Sequence, residues 1–474
     1  MVPGDEGGRL MRTDLLADPV DGLDEALTAV DAFDDVLVTG LLRPGPAQTE
    51  GLAALAGALA GSPLAALVAE AAEKAASGAA GEDHFVALAA ARTALMGSVH
   101  DALTARVSDV TGRPTAEEPA RPTGDAEPAA NPLAAARAWL CDLARAGWQG
   151  IDHELVGGAA PVVSALLPDP ALRRQATLLD GFSAELAASC PGATLERTPV
   201  RRWADLWSRA LLLTLPGAAR TPAVTTATGR LLPLGLDLQE HATAVQAQVH
   251  AVLEPADGTP PRLVRAAVSA PKPDTVVGAG LWQLLRPRMS LLAAVSEGRA
   301  VELDAMPVTA DGDLLWDDDR ARAGEPADPF ATARVALATA TDPVAAPLDR
   351  HPVRIAVPVL LEGYAVERAD DGTLTFTVAG CRLAVDTDRA PAAGPLTPEA
   401  VAASGACLGL LRWDAGAFLL QPLAVESTVR KKTVAVHAGA WAGGTADKAG
   451  ARAEKAATDA VAVLRERAGR LLRA

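Results

Sequence analysis

Basic charge, aromatic side chains and paired cysteines are all scarce in this chain of 474 residues. Lys and Arg number 43 against 59 Asp and Glu, a formal net charge of −16. A duplex-binding surface needs clustered positive charge to displace counterions, so nucleic acid is excluded as a default partner. Only six of the basic residues are Lys and 37 are Arg, beside abundant Ala, Gly and Pro. That bias reflects GC-rich coding before it reflects function. Aromatics make up 3% of the chain, so its cores must be filled by Ala, Leu and Val. Cys141, Cys190, Cys381 and Cys407 form no C-x-x-C pair and have no zinc-site spacing. They read as separate buried thiols in a reducing, cytoplasmic compartment, and no metal or cofactor is expected.

Long apolar runs are missing too. Gly51 to Ala69 is uncharged but consists mostly of Ala and Gly, and Ser62-Pro63 interrupts it. Ser as a cap and Pro at a first helical position predict two helices meeting at a turn, and no membrane span. Met1 to Arg12 carries Asp5, Glu6 and Arg9 with no apolar stretch, which predicts a disordered leader.

What is present is a change of period along the chain. Residues 13–112 carry Leu, Val, Phe and Ala at three- and four-residue spacing, the pattern of a helical domain. Residues 113–131, rich in Pro, Glu, Thr and Gly, predict a linker. Within 132–303 a helical block comes first. Asn131-Pro132 opens it, Leu133, Ala136, Leu140 and Leu143 mark a buried stripe, and Gly147 closes the first helix. Further helices are expected over 170–189 and 200–215. In the last, Trp203, Leu206, Trp207, Ala210 and Leu211 share one face, which suits a core stripe or a binding groove.

Alternation then takes over at 230–239, 243–252 and 262–269, with a turn at Asp257-Gly258, predicting a β-meander before a short helix at 276–285. Residues 304–329 read as an acidic loop. Five short strands over 330–438 suit a small OB-like barrel. A flexible segment and a C-terminal helix fill 439–474. The fold class is therefore α+β: helical N-terminal modules, then an antiparallel β-rich region, then a terminal helix.

Candidate sites are few. No Walker A loop, nucleophile elbow, H-E-x-x-H or kinase signature occurs, so no catalytic residue is assigned. Val276 to Gly280 opens like a dinucleotide-binding turn, but Gln283 stands where the third glycine belongs. Asp152-His153-Glu154 is a run of ligand-type side chains that point in different directions. Asp311, Asp313, Asp317, Asp318 and Asp319 could gather a cation or form a solvated loop. Trp316 and Arg322 occupy the positions where an EF-hand loop needs Gly and Glu.

RRWADLWSRALLLT at 201–214, and LGLDLQEHATAVQAQVHAVLE with SAPKPDTVVGAGLWQLLRP at 234–287, resemble uncharacterised actinobacterial proteins that accompany MoxR-type AAA+ ATPases and von Willebrand factor A proteins. The resemblance covers about a third of the chain and carries no catalytic motif. It implies an accessory or client-recognition component of an ATPase-driven system.

Two readings of function follow. The first is a non-enzymatic adaptor or assembly component with protein partners, an AAA+ ATPase or a second copy of the chain among them. Its docking element would be the terminal helix, through Val461, Leu464, Ala468 and Leu471 with Arg465 and Arg467. An ordinary helix packed on its own domain is the competing view of that element. The second reading is an enzyme or small-ligand binder with its pocket in the strand-rich half, near His241, His250 and Trp282.

Overall fold

The computed structural model of the chain describes residues 12–116, 130–218, 224–241, 243–273, 275–392, 394–429, 431–444 and 448–471. Most of the expected leader, and residues 117–129 of the expected linker, lie outside them.

Among the described residues nine α-helices come first: α1 (Leu23–Thr39), α2 (Pro46–Ala58), α3 (Ala65–Ala76), α4 (Glu82–Thr111), α5 (Ala130–Ala146), α6 (His153–Gly157), α7 (Ala159–Leu166), α8 (Arg173–Ala188) and α9 (Val200–Leu212). They build one apolar core rather than two separate modules. Val30, Phe33 and Leu37 of α1 meet Leu140 and Leu143 of α5 and Trp203 and Trp207 of α9 there. Each set recurs every three or four residues, which puts it on one helical face. The α1–α2 and α5 turns interlock through glycine. Gly40 and Gly147 have φ of 79° and 71°, and a Cβ on Gly147 would lie 2.2 Å from the Gly40 nitrogen. Only glycine permits that approach.

α4 is a strut of 30 residues, about 45 Å long. Its first half supplies Phe85, Leu88 and Met96 to the helical core. Its second half supplies Val99, Leu103 and Val107 to the core of the second sheet. The helical part and the last β-part are thus joined by a continuous helix, and the boundary expected at 113 cuts through shared contacts. Arg113 is itself buried, pairing with Asp342 at 3.0 Å, and Thr115 bridges to Asp342.

The first sheet holds β1 (Val224–Glu240), β2 (Ala244–Pro255), β3 (Arg262–Pro271), β4 (Arg299–Thr309), β5 (Asp313–Leu314) and β6 (Ala321–Pro326). The expected meander is β1–β2–β3, all antiparallel. Val245, Ala247, Val249 and Ala251 of β2 face one core, as period-two spacing requires. β4 was not anticipated, and the segment expected as an acidic loop contributes β5 and β6. β4 also pairs with the first half of β1, so the ladder β1–β2–β3–β5–β4 returns to β1. Inside, Trp282 of α10 (Gly280–Leu285) and Leu291 and Leu292 of α11 (Leu291–Glu297) fill the core.

After the short α12 (Pro329–Thr332), the second sheet comprises β7 (Val357–Glu362), β8 (Ala365–Arg368), β9 (Leu374–Val378), β10 (Cys381–Val385), β11 (Ala406–Asp414), β12 (Ala417–Val429) and β13 (Lys432–His437), with α13 (Pro398–Ala402) between β10 and β11. Its order is β7-β11-β12-β10-β9-β8, with β13 on the far end of β12. No ladder joins β7 to β8 among the described residues, so the OB-like barrel expected over 330–438 is an open sheet. β12 is long enough to serve three neighbours, which ties the strands into a fan.

The two sheets pack face to face through Leu232, Leu234, Val252, Leu408 and Ala424. One buried polar knot crosses this seam. Arg412 donates to Asp237 at 2.8 Å and to Gln421 at 2.5 Å, and Gln421 donates to Asp237 at 2.7 Å. Each buried polar group is thereby satisfied, the condition for keeping charge in such a place.

The terminal helix α14 (Lys448–Leu471) lies on α10 by its first half. Glu454 pairs with Arg286 at 2.8 Å, and Ala453 and Val461 rest on the core of the first sheet. The crossing is tight, since a Cβ on Gly280 would come within 2.7 Å of the Ala457 Cβ. No helix among the described residues is long and apolar enough to cross a membrane.

Candidate functional site: an arginine-lined cleft

The candidates read from sequence do not converge. His241 is exposed at the end of β1, His250 is buried on β2, and Trp282 is fully buried in the core of the first sheet. Val276 to Gly280 leads from β3 into α10, and the parallel ladder that β3 forms is with the two-residue β5. Asp152 caps α6, accepting from the Leu155 N–H at 2.8 Å. The acidic run is consumed locally. Asp313 pairs with Arg265, Asp317 with Arg320, and Asp318 accepts from Ser290 and Trp316. Among the described residues no group of three or more His, Cys, Asp or Glu side chains is arranged to hold a metal ion. All four cysteines are free; Cys141, Cys381 and Cys407 are buried and Cys190 half-buried. Burial pushes the Cys141 thiol up to about 12 and Cys407 higher still, the opposite of an activated nucleophile.

The terminal-helix residues divide along the helix. Val461 packs on the body, Leu464 is half-buried, and Arg465, Arg467 and Ala468 are exposed. The Leu471 side chain lies outside the described residues.

The feature that sequence reading missed is a cleft of about 810 Å³ between the helical part and the β-part. Five segments wall it: α1 with Leu27 and Asp31, α4 with Arg92 and Met96, α9 with Arg201, Arg202, Asp205, Leu206, Ser208 and Arg209, the stretch 348–354, and the end of β11 with Trp413 and the turn after it. α9 can do this because two faces coexist on it. Trp203, Trp207, Ala210 and Leu211 point to the core. Arg201, Asp205 and Arg209, four residues apart, form one polar row. Leu206 is only partly buried and lines the cleft, so the stripe expected over α9 serves both core and groove.

The floor of the cleft is a buried ion network. Arg92 grips Asp34 at 2.5 and 2.9 Å and reaches Asp205 at 2.7 Å. Asp205 also meets His351 Nε2 at 3.1 Å. Burial pushes the Asp34 carboxyl up to about 6 against the pull of Arg92 and Arg201. It is still the charged partner at neutral pH. Asp205 is held below the carboxylate range despite burial, by the His351 bond and the Arg92 charge.

At one edge the charges do not balance. Asp349 is shared by three guanidiniums: Arg209 at 2.5 Å, Arg174 at 3.2 Å and Arg354 at 3.8 Å. Burial works against its charge, but the Arg209 bond and the neighbouring arginines hold its pKa low. Arg354 has no hydrogen bond to its guanidinium among the described residues, and it is 59% exposed. Burial of part of its environment and the like charge of Arg209 depress its pKa. One carboxylate against three cations leaves about two positive charges uncompensated. In a chain of net charge −16 that local excess has no general electrostatic cause. It suits an anion, because guanidinium forks match carboxylate and phosphate oxygens in pairs.

Comparison with family models, with curated proteins and with solved structures finds no match for this chain.

Proposed function

We propose that this protein is a non-enzymatic adaptor or assembly component whose cleft takes up an anionic group. The observation that carries this reading is the single Asp349 carboxylate shared by Arg174, Arg209 and Arg354. The stretch 201–214, which resembles the companions of MoxR-type ATPases, supplies six residues of the cleft wall, so an accessory role beside such an ATPase belongs to the same proposal.

Anion binding should appear as stabilisation. An anion at ten times its Kd raises stability by about 1.4 kcal/mol. Thermal melts with and without inorganic phosphate should show an upward shift for the parent protein. Arg354→Ala removes an exposed, like-charge-crowded group, so its melting temperature without anion should stay within about 1 °C, while the phosphate shift disappears. Arg230→Ala, on a strand pair away from the cleft, should keep the shift. Equal shifts in all three proteins would place the anion elsewhere and reject the reading.

The assembly element proposed is the outer half of α14, where Val463 is 46% exposed and Arg465 and Arg467 are solvated. Ending the chain after Ala462 keeps the docked half with Ala457 and Val461. The shortened protein should melt as the parent does while its oligomer size, by light scattering, or its retention of a native partner falls. Unchanged association would remove α14 from the proposal.

A further inference from the structure

We infer that the ligand of the arginine-lined cleft is a phosphate monoester carrying a planar ring, a ligand of the nucleotide class; the inference rests on the anion reading above. Charge argues for the phosphoryl group. Arg209 and Arg354, which line the cleft, share the Asp349 carboxylate with Arg174 beside it, and this cluster exceeds its one carboxylate by about two positive charges. A carboxylate ligand would neutralise one. A phosphate monoester carries about −1.5 to −2 at neutral pH and offers three acceptor oxygens. Arg209 is already anchored, donating to the Leu348 carbonyl at 3.0 Å as well as to Asp349. Arg354 is not so tied, and can turn its fork to an incoming oxygen.

Size and wall chemistry argue for more than a bare phosphate. About 810 Å³ lies within the range of small-molecule sites and far exceeds one phosphate group. Arg354 shares its short turn, Pro352–Arg354, with Val353, which is 60% exposed and lines the same cleft. The end of β11 supplies Trp413, half-buried at the edge of the same space. Its ring is fixed by Phe418, edge to face at 5.0 Å and 77°. A tryptophan held in one plane is a ready stacking surface for a flat ring, whereas an aliphatic ligand would gain only contact area. Leu27, Met96 and Leu206 also line the cleft among charged side chains, and offer apolar surface for the second face of such a ring. A cationic corner and an aromatic wall in one cavity describe an amphiphilic, ring-bearing anion.

Calorimetric titration of the full chain with inorganic phosphate, ribose phosphate, adenosine monophosphate and a phosphoserine tripeptide separates the terms. All phosphate-bearing probes should bind, with adenosine monophosphate at least tenfold tighter than ribose phosphate. Trp413→Ala should erase that advantage and leave ribose phosphate unchanged. Arg354→Ala should weaken every probe tenfold or more. If adenosine monophosphate and ribose phosphate bind equally, or Trp413→Ala leaves their ratio intact, the ring is rejected while the anion reading stands. If the phosphopeptide binds tighter than the nucleotide, the ligand class is a peptide and the inference fails. If no probe binds, the anion reading falls with it.

Discussion

Replacing Arg92 with methionine is expected to destabilise the protein by about 3–5 kcal/mol, the range for a buried ion pair that loses one partner. Arg92 is the link on which the helical core and the cleft floor both depend. Its guanidinium reaches Asp34 at 2.5 and 2.9 Å, Asp205 at 2.7 Å and the Ser208 hydroxyl at 3.3 Å. Without it, Asp34 remains buried with only the Arg201 cation in reach among the described residues, at 3.4 Å. Its carboxyl is already pushed to about 6 by burial, so it would take up a proton rather than stay charged. The double variant Arg92→Met with Asp34→Asn should recover a large part of the loss, because no uncompensated charge then remains. Denaturant unfolding followed by tryptophan fluorescence reads the effect, since Trp139, Trp148, Trp203 and Trp207 share the helical core with α1 and α4. A loss under 1 kcal/mol for Arg92→Met would mean that water replaces the guanidinium, and that the network is not a structural centre.

His250 should give this protein a marked acid sensitivity. It is buried on β2 opposite Gly235, and its Nε2 has no hydrogen-bond partner among the described residues. Burial drives its pKa from 6.5 to about 3, with Arg265 and Arg412 opposing protonation and Asp237 favouring it. The folded value is depressed, so between pH 6.5 and 3 the unfolded chain binds a proton that the folded chain refuses. Stability from this group is therefore complete above pH 6.5 and declines as pH falls through that window. The full loss is on the order of 5 kcal/mol at 1.36 kcal/mol per pKa unit. In His250→Gln the stability curve, measured by urea unfolding from pH 7 to 4, should run flatter than that of the parent. Other carboxylates whose pKa is held low, such as Asp349, contribute acid sensitivity to both proteins and leave the difference intact. Parallel curves would show that His250 is hydrated in the folded state.

How far each feature could be read from sequence depends on the range over which its cause acts. The stripe of Leu133, Ala136, Leu140 and Leu143 lies buried as its spacing requires. The alternation on β2 and the Asp257-Gly258 hairpin appear as read, with Gly258 at φ 77°. Such patterns are local, because a helical or extended backbone converts position directly into direction.

β1 marks the limit of that reasoning. Strict alternation puts Leu232, Leu234, Leu236 and Leu238 on one face. A register shift between Pro233 and Gly235 instead sends Leu232 and Leu234 to the seam between the sheets, and Leu236 and Leu238 to the other core. The extra residue of a bulge inverts the facing of everything after it. Here Gly235 also lies where its Cβ would meet Leu423 at 2.8 Å, a contact from 188 residues further along the chain.

By itself, then, the sequence determined the helices and the main β-meander, the acidic balance and the separate buried or half-buried thiols. Tertiary structure alone decided which strands closed the first ladder, that the second sheet stayed open, and that a cleft exists. Arg92, Arg209 and Arg354 each look like one more arginine in a chain of 37. Their meaning arises from sharing too few carboxylates across hundreds of residues. Hydrophobic period is set by neighbours along the backbone, whereas the balance of charge at a site is a sum over whatever the fold brings within a few ångströms.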